Sequence, residues 1–219
     1  MNNAVSLTAR LLGAGLRALL VLTLVTGVAY PLLVTGIAQT AFRSKADGSQ
    51  ITADGRVVGS SLIGQSYLLP LEKGQRTPDA DLRWFQGRPA NGLGANTVNT
   101  RYRLLVSGAT NLAADNPVLI RQVEAARAAV VRDNSVPGHP DQVPADAVTS
   151  SGSGLDPDIS PAYARLQVDR VAARNGLPAA RVARLVERHT EGRTLGFMGE
   201  PRVNVLELNI ALRALTASH

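Results

Sequence analysis

The chain has 219 residues, 23 basic and 17 acidic, for a formal charge of +6, with no cysteine and only 4% aromatic residues. That length holds one substantial domain or two small ones, and the lack of cysteine excludes disulfides, thiol catalysis and zinc–thiolate sites. The first 46 residues carry Arg10, Arg17, Arg43 and Lys45 and no acid, which leaves 19 basic and 17 acidic groups elsewhere. A nearly balanced remainder with few aromatics for base stacking argues against a nucleic-acid binder.

From Ala18 to Phe42 the chain runs 25 residues without a charge. As a helix this run would be about 38 Å long, more than the roughly 30 Å of a bilayer core. It predicts one transmembrane helix over 18–42, in contact with lipid, with residues 1–17 ahead of it. A cleaved signal peptide is the competing reading, and "GIAQTA" from Gly36 imitates a cleavage site. Such signals have apolar cores of about 7–15 residues, so an uncleaved anchor is preferred. Two basic residues lie near each end of the run, so charge counting does not choose which end faces inward. Pro31 lacks the N–H that would bond the Gly27 carbonyl. Thr23 and Gly27, four residues apart, lie on the face of that carbonyl, where small side chains let a neighbouring helix approach.

Residues 43–50 are polar and read as a linker, and residues 51–219 as a folded domain of mixed α and β type (α+β). Asp54-Gly55 between β-branched runs predicts a hairpin. Pro70–Thr100 is rich in loop residues, with Trp84 and Phe85 expected to pack in the core beneath it. Arg88, between Gly87 and Pro89, is a candidate clamp for an anion or carboxylate. Asn116-Pro117 predicts a helix start, followed by a largely apolar spacing at Ile120, Val123, Arg127 and Val130. Ser160-Pro161 predicts a second helix that stops at Gly176, and "PAARVARLVERHT" a third. Val205, Leu208, Leu212 and Leu215 form the apolar stripe of a last helix.

The richest candidate for chemistry is "VPADAVTSSGSGLDPDISP", Val143–Pro161. A phosphate-binding P-loop needs a lysine, and none occurs after Lys73. Gly152 and Gly154 supply half of a dinucleotide fingerprint. Ser151, Gly152, Ser153 and Gly154 are therefore weak candidates for an ATP-binding nest, opposed by the negative charges of Asp156 and Asp158. Asp146, Asp156 and Asp158 do not match the spacing of an EF-hand. The plainer reading is a shaped turn whose glycines and Asx side chains satisfy local backbone. His139 lies in a predicted turn, His189 ends a helix and His219 is the last residue. Glu187 and His189 are two apart and share no helix face. No motif assigns a catalytic residue or a metal ligand. Glu191, Arg193, Glu200 and Arg202 crowd around three glycines as surface ion pairs or as a binding edge.

Five stretches together carry a resemblance: "GSSLIGQ" at Gly59–Gln65, "FQGRP" at Phe85–Pro89, "SGATNLAADNP" at Ser107–Pro117, "VPADAVTSSGSGLDPDISP", and "TEGRTLGFMGEPRVNVLELN" at Thr190–Asn209. In this order behind one N-terminal span, they resemble the C subunit of the Kdp high-affinity potassium-transporting ATPase, the KdpC family. One departure is Asp158, which stands where that family usually has histidine.

The resemblance implies a bacterial inner-membrane complex. Its partners would be a channel-like, potassium-binding subunit and a P-type subunit that hydrolyses ATP through an aspartyl-phosphate. It implies a cytoplasmic N-terminus and an extracytoplasmic, periplasmic domain. It also implies a role without chemistry of its own, either assembly and stabilisation or a catalytic chaperone that raises ATP affinity in a ternary complex. No cofactor is expected on the chain alone, and ATP only within the complex. A domain near +2 is a poor electrostatic funnel for potassium, and no TVGYG-type filter is present, so assembly is the preferred role. Thr23, Gly27, Pro31, Arg88, Asp156, Asp158, Glu191, Arg193 and Glu200 are the candidate interface residues. The rival from another class is a nucleotide-binding regulator built on the Gly152–Gly154 loop.

Overall fold

The computed structural model describes residues 2–75, 77–95, 105–134 and 143–217, so His139 and His219 lie outside the described residues. It divides into two units, Met1–Gln50 and Ile51–His219.

The first unit is helical almost throughout. Helix α1 (Asn2–Leu24) runs through a stretch of π-helix (Val25–Ala29) into α2 (Tyr30–Ala41). The apolar part, Leu7–Ala41, is 35 residues, long and apolar enough to cross a membrane. The helix thus extends well ahead of the expected Ala18, because Arg17 does not interrupt it: its Nε donates to the Gly13 carbonyl one turn back. The π turn has a local cause. Pro31 lacks a donor and its ring crowds the preceding turn, and the turn before it widens so that Tyr30 N–H bonds Val25 O. Thr26 Oγ1 donates to Leu22 O at 2.7 Å. The segment 43–50 is not a plain linker, since Arg43–Ala46 forms one helical turn, α3. The turn beyond it is tied back by Gln39 Nε2 donating to Asp47 Oδ1 at 3.1 Å.

The second unit opens with a hairpin of β1 (Gln50–Ala53) and β2 (Arg56–Ser60). Asp54 and Gly55 have φ of 50° and 73°, the two left-handed residues of a turn that suits the twist of paired strands. A short antiparallel ribbon joins β3 (Gly94–Ala95) to β4 (Leu105–Val106). Helix α4 (Pro117–Asp133) starts as expected, with Asn116 Oδ1 accepting from Val118 N–H at 2.8 Å. Its apolar spacing is not a buried stripe, because only Val130 of that set is buried and Ile120 and Arg127 are exposed.

The core lies in the C-terminal third. A three-stranded antiparallel sheet of β5 (Asp158–Ile159), β6 (Thr190–Glu191) and β7 (Arg202–Asn204) has the order β5-β7-β6. It is accompanied by α5 (Pro161–Leu166), α6 (Val168–Asn175), α7 (Ala179–Arg188) and α8 (Val205–Ala217). Val171, Val182, Val203, Leu208 and Leu212 are fully buried there with Phe85. The single helix expected from Ser160 to Gly176 is instead two, meeting at Gln167. That residue is fully buried, and its side chain bonds the backbone of Gln86. Gly176 ends α6 at φ 65°, and Leu177 N–H closes on Ala172 O, the left-handed stop glycine favours.

The segment Leu82–Gln86 belongs to no strand, yet each of its five carbonyls accepts from a side chain. Arg170 Nη1 donates to Leu82 O and Trp84 O, and Asn175 Nδ2 to Arg83 O. Asn209 donates to Phe85 O and accepts from Phe85 N–H, both at 3.0 Å. Gln167 does the same for Gln86, at 3.1 and 2.7 Å. Replacing Asn209 with alanine would strand a buried donor and a buried acceptor, each costing about 1–3 kcal/mol. The full chain in detergent is expected to lose roughly 2–6 kcal/mol in urea unfolding; a loss below about 0.5 kcal/mol would show that the Phe85 pairing is dispensable.

Candidate functional site

Trp84 and Phe85 anchor the segment that carries Arg88. Phe85 has no exposure, and Trp84 packs its ring against Tyr67 with centroids 5.8 Å apart. Burial pushes the Tyr67 hydroxyl above its ordinary pKa, partly offset by the hydrogen bond with Asn209. At the start of the segment, Arg83 hydrogen-bonds Asp81 and holds its carboxyl below the usual carboxylate range. Arg170 is itself buried, bonded to Asn134 Oδ1, Gln167 Oε1 and the two carbonyls above. Burial lowers its pKa, because desolvation disfavours a cation.

Arg88 does clamp a carboxylate, one of the chain's own. Its Nη1 lies 2.9 Å from Asp156 Oδ2, and both side chains are partly buried. The same guanidinium reaches the carbonyls of Thr149 and Ser150 at 3.4 and 3.5 Å. One arginine therefore holds both ends of the Ser151–Leu155 turn.

Within that turn most polar groups bond to neighbours. Ser153 Oγ accepts from Leu155 N–H and lies 3.3 Å from Ser151 Oγ, while Ser107 Oγ donates to Ser153 O. Gly154 sits at φ 68°, and Gly152 beside it has a conventional φ. Gly64 N–H donates to Leu155 O, and a Cβ at Gly64 would collide with the Asp156 carbonyl. The "GSSLIGQ" loop is thereby fastened to "GLDP". Asp146 accepts from both the N–H and the hydroxyl of Ser160, whose Oγ in turn caps α5 by accepting from Tyr163 N–H. Burial pushes the Tyr163 phenol up to about 12.

The second charged group surrounds the β6–β7 hairpin. Arg202 Nη2 bonds Glu191 Oε2 at 2.7 Å, and its Nε lies 3.2 Å from Asp158 Oδ2. Arg193 Nη2 meets both Glu200 oxygens at 2.9 and 3.1 Å. Asp158 also accepts from Asn204 Nδ2 at 3.3 Å. Partial burial pushes its carboxyl up; Arg202 opposes this, while Asp156 and Glu191 add to it.

The expected residues thus fall into two internally paired groups, Arg88 with Asp156 and Arg202 with Asp158 and Glu191, beside a separate Arg193–Glu200 pair. In the N-terminal helix Thr23 and Gly27 share a face, since a Cβ on Gly27 would lie 3.9 Å from Thr23 Cγ2. Pro31 follows the widened turn. Sequence reasoning missed Arg202 as the bridging cation, and missed Gln167, Arg170 and Asn209 as anchors. A usable signal existed: Asn209 sits on the apolar stripe of α8, where a buried amide needs partners.

A helix long and apolar enough to cross a bilayer, joined to a mixed domain whose candidate site charges pair with one another, is consistent with a single-pass type of membrane protein. The family model described as "KdpC: K+-transporting ATPase, c chain" matches residues 12–214. The chain is 72% identical to a potassium-transporting ATPase KdpC subunit of Streptomyces coelicolor over 99% of its own length and 98% of that protein's. It is 68% identical over the whole of both chains to the one of Streptomyces avermitilis. With that of Gemmatimonas aurantiaca the identity is 48% over 90% of this chain and 89% of the relative. The chain belongs to the KdpC family of potassium-transporting ATPase subunits.

The raised pKa of Asp158 yields a signed expectation. A folded-state value above the unfolded one gives a contribution fully present below about pH 4 and lost as pH rises through the folded value. At pH 7 the ionised, half-buried carboxylate is therefore a liability. Asp158→Asn is expected to raise Tm at pH 7 by about 1–3 °C and to lose that advantage below about pH 4. A lower Tm at pH 7 would mean that the Arg202 pair outweighs the desolvation.

Proposed function

We propose that the chain is a non-catalytic subunit that assembles and stabilises the other subunits of the potassium-transporting ATPase. Its apolar helix would anchor it in the bacterial inner membrane, with the N-terminus cytoplasmic and the domain outside. The partners in this reading are the channel-like, potassium-binding subunit and the P-type, ATP-hydrolysing subunit. The observation that carries it is the internal pairing of the candidate site charges. Arg88, Asp156, Asp158, Glu191, Arg193 and Glu200 all close on side chains of the same domain. Pairs of this kind stiffen a surface and give it shape while leaving little net charge to draw in an ion.

The reading also accommodates the membrane helix. A widened turn at Val25–Ala29 beside the Thr23–Gly27 face supplies close-approach geometry for a neighbouring helix. ATP then enters only through the complex, and the Ser151–Gly154 turn serves shape.

The discriminating experiment purifies the complex with and without this chain. Omitting the chain is expected to leave the remaining subunits dissociating in detergent, with the apparent KM for ATP of any assembled fraction unchanged. An intact complex whose KM for ATP rises about tenfold without the chain would favour the catalytic-chaperone role, since coupling of that size is typical of linked sites. Saturable ATP binding to the full chain alone, lost in Gly152→Val, would favour the nucleotide-binding reading.

A further inference from the structure

The turn between β6 and β7 ends in a crown of apolar side chains. Leu195 is 79% exposed, Phe197 70% and Met198 51%. Single exposed apolar residues are ordinary, whereas three on one turn mark a contact. The turn is also built rigidly. Thr194 and Met198 exchange both backbone hydrogen bonds at 2.9 Å, and Gly196 N–H and Phe197 N–H close on Arg193 O and Thr194 O. Gly196 and Gly199 have positive φ, as does Leu195 at 54°, a conformation a leucine adopts only against a steric penalty. A conformation held against that penalty is preorganised for what it meets.

Beneath the crown lies a collar of closed ion pairs, Arg193 with Glu200 and Arg202 with Glu191 and Asp158. The two basic groups beside the crown, Arg193 and Arg202, are already engaged in ion pairs and offer no free cation to anionic lipid. Glu191 and Glu200 remain substantially exposed beside it and would oppose an anionic headgroup layer. What the crown matches is a surface that is apolar and carries no net charge.

We propose that Leu195, Phe197 and Met198 form a plug that seats in an uncharged, apolar recess of another subunit of the transport complex, with Phe197 as the anchor. This rests on the reading of the chain as a subunit that works by contact, and it identifies where that contact is made. Leu62 and Ile63 are also exposed, on a loop fastened to the far end of β7 by Asn204 Nδ2 donating to Ser61 O at 2.9 Å, and are not needed for the plug.

The test uses the full chain co-purified with its complex. Phe197→Glu is expected to lower retention of the chain on dilution by at least about tenfold, as for a buried aromatic anchor. Phe197→Leu should retain it nearly normally, and the thermal unfolding of both full chains should match the parent. Unchanged retention of Phe197→Glu would overturn the plug. Independently, Phe197→Trp is placed in nanodiscs containing brominated lipid without the other subunits. No quenching of the added indole, measured against the parent with its single Trp84, is expected; strong quenching would mean the crown enters the bilayer, and would also overturn the proposal. If the other subunits assemble fully without this chain, the assembly reading itself fails. If they need the chain but retain Phe197→Glu, only the plug fails.

Discussion

Five successive peptide carbonyls, from Leu82 to Gln86, lack a strand partner, and side chains of the C-terminal helices satisfy all five, those flanking the buried Phe85 and the exposed one of Arg83 alike. A backbone polar group removed from water without a partner costs as much as a lost hydrogen bond. Here the donors are Arg170 and Asn175 on α6, Gln167 at the α5–α6 junction and Asn209 on α8. Asn209 and Gln167 each contribute both a donor and an acceptor, as a neighbouring strand would. Phe85 enters the core at this point, and three residues later Arg88 reaches Asp156. The break between α5 and α6 falls at one of these donors, Gln167.

From that fixed segment order passes outward through charge pairs. Arg88 holds the turn that leads to β5, β5 pairs with β7, and β7 carries Arg202 and the hairpin. Each link is short and mostly side chain to side chain or side chain to backbone. A small domain of this kind, with strands of two or three residues, gains definition from such specific pairing. The result is a surface on which the candidate site charges pair with one another, while the arginines on the outer face of α7, Arg181, Arg184 and Arg188, stay exposed.

Much of this was legible in the residues. Asp54-Gly55, Asn116-Pro117, Ser160-Pro161 and Gly176 announced their turns and caps because those residue types have narrow backbone preferences. The apolar run announced a helix that could span a membrane, and the ordered motifs announced the family. The three-stranded sheet was not legible, since segments of two or three residues are too short to show a period of two. Its pairing depends on contacts between residues as far apart as Asp158 and Asn204. The early start of the N-terminal helix was missed because Arg17 looked like a boundary, whereas a single arginine in a run of good helix formers does not stop a helix. Charge density around Glu191 and Arg202 was visible, but not which acid each base would choose, because partner choice is set by the fold.

In the assembly reading the domain is internally satisfied and acts through its surface. Hydrogen–deuterium exchange on the full chain, free in detergent and within the assembled complex, tests it most directly. Leu82–Gln86 should be equally protected in both states, while protection gained on assembly should concentrate on Arg193–Glu200. Protection gained instead at Ser151–Gly154 on adding ATP to the free chain would show a nucleotide site in the domain and overturn the assembly reading.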